Sequence, residues 1–114
     1  MDPKGDLFVA DRENSRIQMF DCSGNHLATW QSKEIGKPFS VAASATHLFA
    51  ADCGFPKERR AGLVVVDRTT AEVSRFGEYG LTWGGMLGPH DITLAPDSSV
   101  YIADAGARLH KFVQ

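Results

Sequence analysis

Apolar residues in this chain come in short runs of alternating or continuous character, and no window holds them on the 3.6-residue period of a helix. Val, Ile, Phe, Leu and Thr dominate the runs, and Gly, Pro, Asn and Asp interrupt them about every ten residues, which predicts short strands and almost no helix. One run repeats. Leu7-Phe8-Val9-Ala10-Asp11 returns as Leu48-Phe49-Ala50-Ala51-Asp52 and as Val100-Tyr101-Ile102-Ala103-Asp104, the aspartates being 41 and 52 residues apart. Such separations lie near the period of about 40 to 50 residues that marks propeller blades, small sheets that cannot cover their own faces.

The surroundings of each anchor repeat as well. Asp2-Pro3-Lys4-Gly5 precedes the first as Ala95-Pro96-Asp97-Ser98 precedes the third. A second apolar run follows each: Arg16 to Asp21, Gly62 to Asp67, and Arg108 to Phe112. Ser23-Gly24-Asn25 and Arg68-Thr69-Thr70 supply hairpin turns, with Trp30 nine residues past Asp21 and Phe76 nine residues past Asp67. With blade strands lettered a to d from the hub outward, residues 6–31 read as b, c and d of one blade. Residues 39–77 then read as a complete blade, and residues 90–113 as a, b and c of a third. The expected fold is all-β, a single partial β-propeller unit over 1–114 of about two and a half four-stranded blades. A ring closes with four to eight blades, so further blades upstream of Met1 are expected, with Met1 an internal residue.

Composition narrows the function. The chain has 114 residues, 43% of them apolar, and 12 basic against 14 acidic side chains give a net charge of −2. That balance offers no basic face for nucleic acid, and no apolar run approaches the roughly 18 residues of a membrane span. No secretory leader follows Met1. Cys22 and Cys53 fall after different strands of different blades and are not expected to meet.

In a propeller the b–c turns and the links between blades open on one face, near the central channel. Two segments fall there: the turn Asp11 to Arg16, and the strand start Gly88-Pro89-His90-Asp91-Ile92. Pro89 restrains the backbone before His90, whose imidazole is expected to face the axis, either as a channel-lining residue hydrogen-bonded to a neighbouring blade or as a metal ligand. One histidine supplies only one of the three protein ligands of a catalytic zinc. His26, His47 and His110 fall at separate blade positions and read as surface or packing residues. Asp11, Asp52 and Asp104 read as carboxylates capping their turns. Arg12 has two readings, pairing with such an aspartate or holding a substrate carboxylate. Lys57-Glu58-Arg59-Arg60 reads as a solvated loop. Gly77 to Leu87, with Tyr79, Trp83 and Met86, either lines a pocket or packs over the channel mouth.

The run Val9-Ala10-Asp11-Arg12-Glu13-Asn14-Ser15-Arg16-Ile17-Gln18 resembles an NHL-type repeat. Together with Leu48-Phe49-Ala50, Pro89-His90-Asp91-Ile92, Val100-Tyr101-Ile102 and Lys111-Phe112, it is similar to the C-terminal blades of the six-bladed peptidylglycine alpha-amidating lyase domain. The resemblance implies a zinc-dependent lyase that splits a peptidyl-α-hydroxyglycine into a peptide amide and glyoxylate. By motif it implies His90 as the last zinc ligand, Asp91 as the carboxylate for a structural calcium, and Arg12 as a catalytic arginine lining the site. It further implies a secretory or extracellular location and a monooxygenase domain or partner. The other zinc histidines, the catalytic tyrosine and a second arginine belong to blades outside this chain, so this chain alone is expected to be inactive. Gly88 stands where the family has Met, and Phe8 and Met19 stand where animal members have paired cysteines. The competing reading is a non-catalytic NHL propeller serving as a binding platform. A gluconolactonase-like hydrolase ranks below both, because its clustered Glu, Asn and Asp metal ligands have no place here.

Overall fold

The structure, a computed structural model, describes residues 2, 4–52, 62–76, 78–79, 85–86, 89–104 and 108–113, of which 78–79, 85–86, 89–90, 104 and 108 are described by backbone alone. Three antiparallel sheets account for most of it. The first joins β1 (Leu7–Asp11), β2 (Arg16–Phe20) and β3 (His26–Gln31) in that order. The second joins β4 (Pro38–Ala43), β5 (His47–Asp52), β6 (Gly62–Asp67) and β7 (Val73–Phe76). After a two-residue parallel pair, β8 (Glu78–Tyr79) with β9 (Gly85–Met86), the third sheet joins β10 (Pro89–Leu94), β11 (Val100–Asp104) and β12 (Arg108–Phe112). The fold is all-β, as the run lengths predicted, with two 3₁₀ turns, Arg12–Asn14 and Lys33–Ile35, and no α-helix among the described residues. It is a partial propeller of three successive blades.

Why the sheets stack is written in the middle blade. Side chains of a strand alternate between its two faces, so a strand covered on one side only needs alternate apolar residues. In β5, Leu48, Phe49, Ala50 and Ala51 are all buried, which means both faces are covered. Leu48, Ala50, Val64 and Val66 point one way and meet Ile17 and Ile35, with Phe8 and Trp30 at the edge of the cluster. Phe49, Ala51 and Leu63 point the other way and meet Ile92, Val100 and Ile102. Each Val, Leu, Ile or Phe among them contributes about 1.5–3 kcal/mol on burial, so the two layers hold the three sheets face to face. Strand β4 lies against both β1 and β10, at the hub of the array. Phe8 and Met19 sit directly opposite each other across β1 and β2.

The repeat extends to the turns. Gly5 N–H donates to the Asp2 carbonyl and Asp2 N–H to the Asp6 carbonyl, and the same two bonds recur from Ser98 to Ala95 and from Ala95 to Ser99. Gly5 and Ser98 close these turns with φ of 86° and 69°, the left-handed region that a turn of this shape demands. Aspartates then satisfy the backbone. Asp21 accepts from Asn25 Nδ2, Asn25 N–H and Ser23 N–H, Asp67 from Thr70 N–H and Thr69 N–H, and Asp97 from Ser99 N–H. These hydrogen bonds favour the ionised form and hold all three carboxyls below their ordinary value.

Candidate functional site at the blade rim

The turn between β1 and β2 and the link between β3 and β4 share one face of the array. Ser32 N–H donates to the Ser15 carbonyl at 3.3 Å, and Gln31 Nε2 donates to the Asn14 carbonyl at 3.0 Å. The turn itself is locked by Asp11, whose carboxylate accepts from Asn14 Nδ2 at 3.0 and 3.1 Å and from Arg16 Nε at 2.6 Å. The hydrogen bond from Asn14, then that from Arg16, holds Asp11 below the ordinary aspartate value. Asp11 therefore caps its turn, and the arginine it engages is Arg16. The same repeat position behaves differently in the next blade. Asp52 is fully buried and accepts from Lys37 N–H at 2.8 Å and Arg75 Nη2 at 2.7 Å, joining the link before β4 to the outer strand β7.

Arg12 points elsewhere. Its Nη1 donates to Glu13 Oε1 at 2.6 Å, and its guanidinium carbon lies 4.8 Å from the centroid of the Phe39 ring, on the neighbouring blade. Phe39 occupies a special place in β4. The register runs Pro38 with Asp52 and then Ser40 with Ala51, so Phe39 is the extra residue of a β-bulge. Strand β10 slips at the same point: Pro89 faces Asp104, Asp91 faces Ala103, and His90 is the bulged residue. The residues just after the two bulges touch, Ser40 Oγ donating to Asp91 Oδ1 at 3.1 Å. That oxygen also accepts from Ile92 N–H at 2.9 Å.

The array thus brings Arg12 to Phe39 and Ser40 to Asp91 along the inner strands. The His90 side chain lies outside the described residues, as do Cys53, Lys57 to Arg60 and Trp83, while Tyr79 and Met86 are described by backbone alone. Cys22 is a free, exposed thiol. His26 bonds the Thr29 hydroxyl at 2.7 Å and His47 the Thr46 hydroxyl at 2.8 Å, on different blades. Among the described residues no three His, Cys, Asp or Glu side chains converge. Further along the inner strands, an open cavity of about 460 Å³ is lined by Val41, Ala42, Ala43, Ile92, Thr93 and Leu94, together with Asp2.

One segment of this rim has a recognisable family signature. Residues 1–20 match the NHL repeat. The NHL match spans β1, the Arg12–Asn14 turn and β2, and so contains Arg12 and the Asp11 cap. It supports reading the three sheets as an NHL-repeat propeller, because the blade it covers shares its antiparallel ladder with the other two and its Asp2–Asp6 turn with the third. A comparison with curated proteins gives no match. No helix among the described residues is long and apolar enough to cross a membrane.

Sequence reasoning missed Phe39. A phenylalanine at a strand start reads as core, and a bulge becomes visible only once the partner strand's register is known. The signal available was the parallel between Pro38-Phe39-Ser40 and Pro89-His90-Asp91, two strand starts with the same proline in the same place.

Proposed function

We propose that this chain supplies the C-terminal blades of an NHL propeller lyase, one that cleaves a peptidyl-α-hydroxyglycine to a peptide amide and glyoxylate. The observation that carries the reading is the pair of matched bulges. His90 and Phe39 occupy the same register position on two hub strands tied by Ser40 and Asp91, and Phe39 meets the arginine of the NHL segment. Bulges are over-represented next to active sites, and the slipped register at His90 supports reading it as the zinc ligand. This chain offers one such imidazole, so a three-ligand zinc requires histidines from further blades. When bound, zinc would polarise the carbinol hydroxyl of the substrate. Arg12 would hold the substrate carboxylate, a task suited to a planar fork of donors. A base removes the hydroxyl proton, the C–N bond breaks as the C=O of glyoxylate forms, and the amide nitrogen takes up a proton.

Asp91 suits a calcium ligand in this scheme. One of its oxygens is engaged by Ser40 and Ile92, and a carboxylate has further lone pairs for a hard cation. The same scheme implies a peptide ending in α-hydroxyglycine, a monooxygenase domain or partner to make it, and a secretory setting. A non-catalytic binding platform is the second reading, and the NHL repeat of residues 1–20 is compatible with it.

The test is a His90→Ala variant of the protein carrying its remaining blades. It should lose stoichiometric zinc and lyase turnover while its far-ultraviolet spectrum remains that of the parent. Arg12→Ala should raise KM about 10- to 100-fold, the worth of a charge-assisted contact of about 1.5–3 kcal/mol. Full zinc retention without His90 would overturn the His90 assignment, an active parent with no zinc at all would overturn the metal dependence, and a parent that leaves a peptidyl-α-hydroxyglycine uncleaved would overturn the reaction.

A further inference from the structure

We propose that Phe39 is a positioning residue that fixes the Arg12 guanidinium at the rim for a carboxylate-bearing ligand; this rests on reading Arg12 as the carboxylate-binding arginine. The first support is the stack itself. A separation of 4.8 Å between guanidinium carbon and ring centroid is well inside the roughly 6 Å over which a ring face attracts a cation. The second is where the ring stands. Phe39 is 39% exposed and belongs to neither buried layer, so burial of its own surface does not explain it. The bulge takes it out of the β4 ladder and turns it to the turn of the adjacent blade.

The third support is chemical. Attraction of a cation to a ring face draws on the charge of the guanidinium and not on the N–H···O hydrogen bonds by which arginine holds a carboxylate. The ring and the Glu13 carboxylate together restrain a side chain that otherwise loses about 2 kcal/mol of rotamer freedom on ordering, so that cost is met before a ligand arrives. The contact also crosses between blades. Arg12 belongs to the first sheet and Phe39 to the second, while Ser40 joins the second to Asp91 of the third. Phe39 thereby refers the position of Arg12 to the hub strands rather than to its own turn alone.

The experiment uses the full chain and three variants, Phe39→Leu, Phe39→Tyr and Arg12→Ala, with sodium glyoxylate as the probe. In nuclear magnetic resonance spectra the Arg12 δ-methylene protons of the parent should lie upfield, shifted by the ring. Phe39→Leu should remove that shift with the amide spectrum otherwise preserved, and Phe39→Tyr should keep it. Glyoxylate affinity should fall about 3- to 10-fold in Phe39→Leu, recover in Phe39→Tyr, and be unaffected by Phe39→Leu once Arg12 is already alanine. Affinity unchanged in Phe39→Leu, or lowered equally with and without Arg12, would overturn the positioning role. A parent with no ring shift would overturn the pairing. A parent that shows the Phe39-dependent shift yet binds no glyoxylate would uphold the pairing and overturn the carboxylate reading of Arg12.

Discussion

Gly36→Ala is expected to destabilise the chain by about 3 kcal/mol or more, combining about 1–3 kcal/mol for overpacking with about 1–2 for a side chain in a left-handed backbone. A Cβ built at Gly36 would lie 2.2 Å from Asp52 Oδ2 and 2.5 Å from Asp52 Cγ, and the backbone there has φ of 75° and ψ of −134°. Asp52 has no room to yield. It is fully buried and gripped by Lys37 N–H and Arg75 Nη2, and Arg75 Nη1 also donates to the Glu34 carbonyl at 2.9 Å. Moving Asp52 would loosen the Lys33–Ile35 turn, whose Ile35 fills the layer between the first two blades. Small domains have about 5–15 kcal/mol in hand, so the loss should be plain in a urea titration. Gly24→Ala is the control. Gly24 has φ of 87° but nothing within 4 Å of its would-be Cβ, so only the backbone term of about 1–2 kcal/mol applies. Equal midpoints for the two variants would contradict the close approach of Gly36 to Asp52.

Arg68→Ala is expected to cost about 2–3 kcal/mol, because one guanidinium joins two blades on the face opposite Arg12. Its Nη1 donates to Asp2 Oδ2 at 3.0 Å and to the Ser44 carbonyl at 2.7 Å, its Nη2 approaches Met19 Sδ at 3.4 Å, and it lies 5.0 Å over the Phe8 ring. Removing it strands a buried carboxylate, which is costlier than losing an exposed pair. Lysine in its place should recover only part of the loss, since it lacks the fork that reaches Asp2 and Ser44 together.

Acid should expose the same clamp. Burial pushes the Asp2 carboxyl up, but hydrogen bonds from Asp6 N–H, Arg68 and Lys4 N–H outweigh it and hold the group below its ordinary 3.8. A carboxyl lowered in the folded chain adds stability that is present above the unfolded value and is lost as pH falls through the folded one. Asp11, Asp21, Asp67 and Asp97 act in the same direction, so stability should be flat near neutrality and fall below about pH 4. Arg68→Ala should lower the neutral plateau and flatten the acid slope. An unchanged slope would separate Asp2 from Arg68.

The blades were legible because two periodicities survive in the residues. Strand alternation marked the runs, and the Asp anchors with their Pro-containing turns marked the repeat, down to the matched bonds at Asp2 and Ala95. What escaped was whatever depends on the neighbouring blade. Asp11 and Asp52 occupy one repeat position and look alike in sequence, yet one caps its own turn and the other joins a link to an outer strand. Arg68 finds a partner 66 residues away, a pairing that no local pattern encodes. Phe39 escaped because its role comes from a slipped register, and Arg12 was given two candidate partners of which neither is the ring it stacks on.

Methyl-to-methyl distances in the full chain test most directly whether a middle blade separates the other two. Nuclear Overhauser contacts should run from Ile17 to methyls among Leu48, Val64 and Val66, and separately from Ile92 and Ile102 to Leu63, with none from Ile17 to Ile102. A direct contact between Ile17 and Ile102 would place the first and third sheets against each other and contradict the radial stack on which the rim site depends.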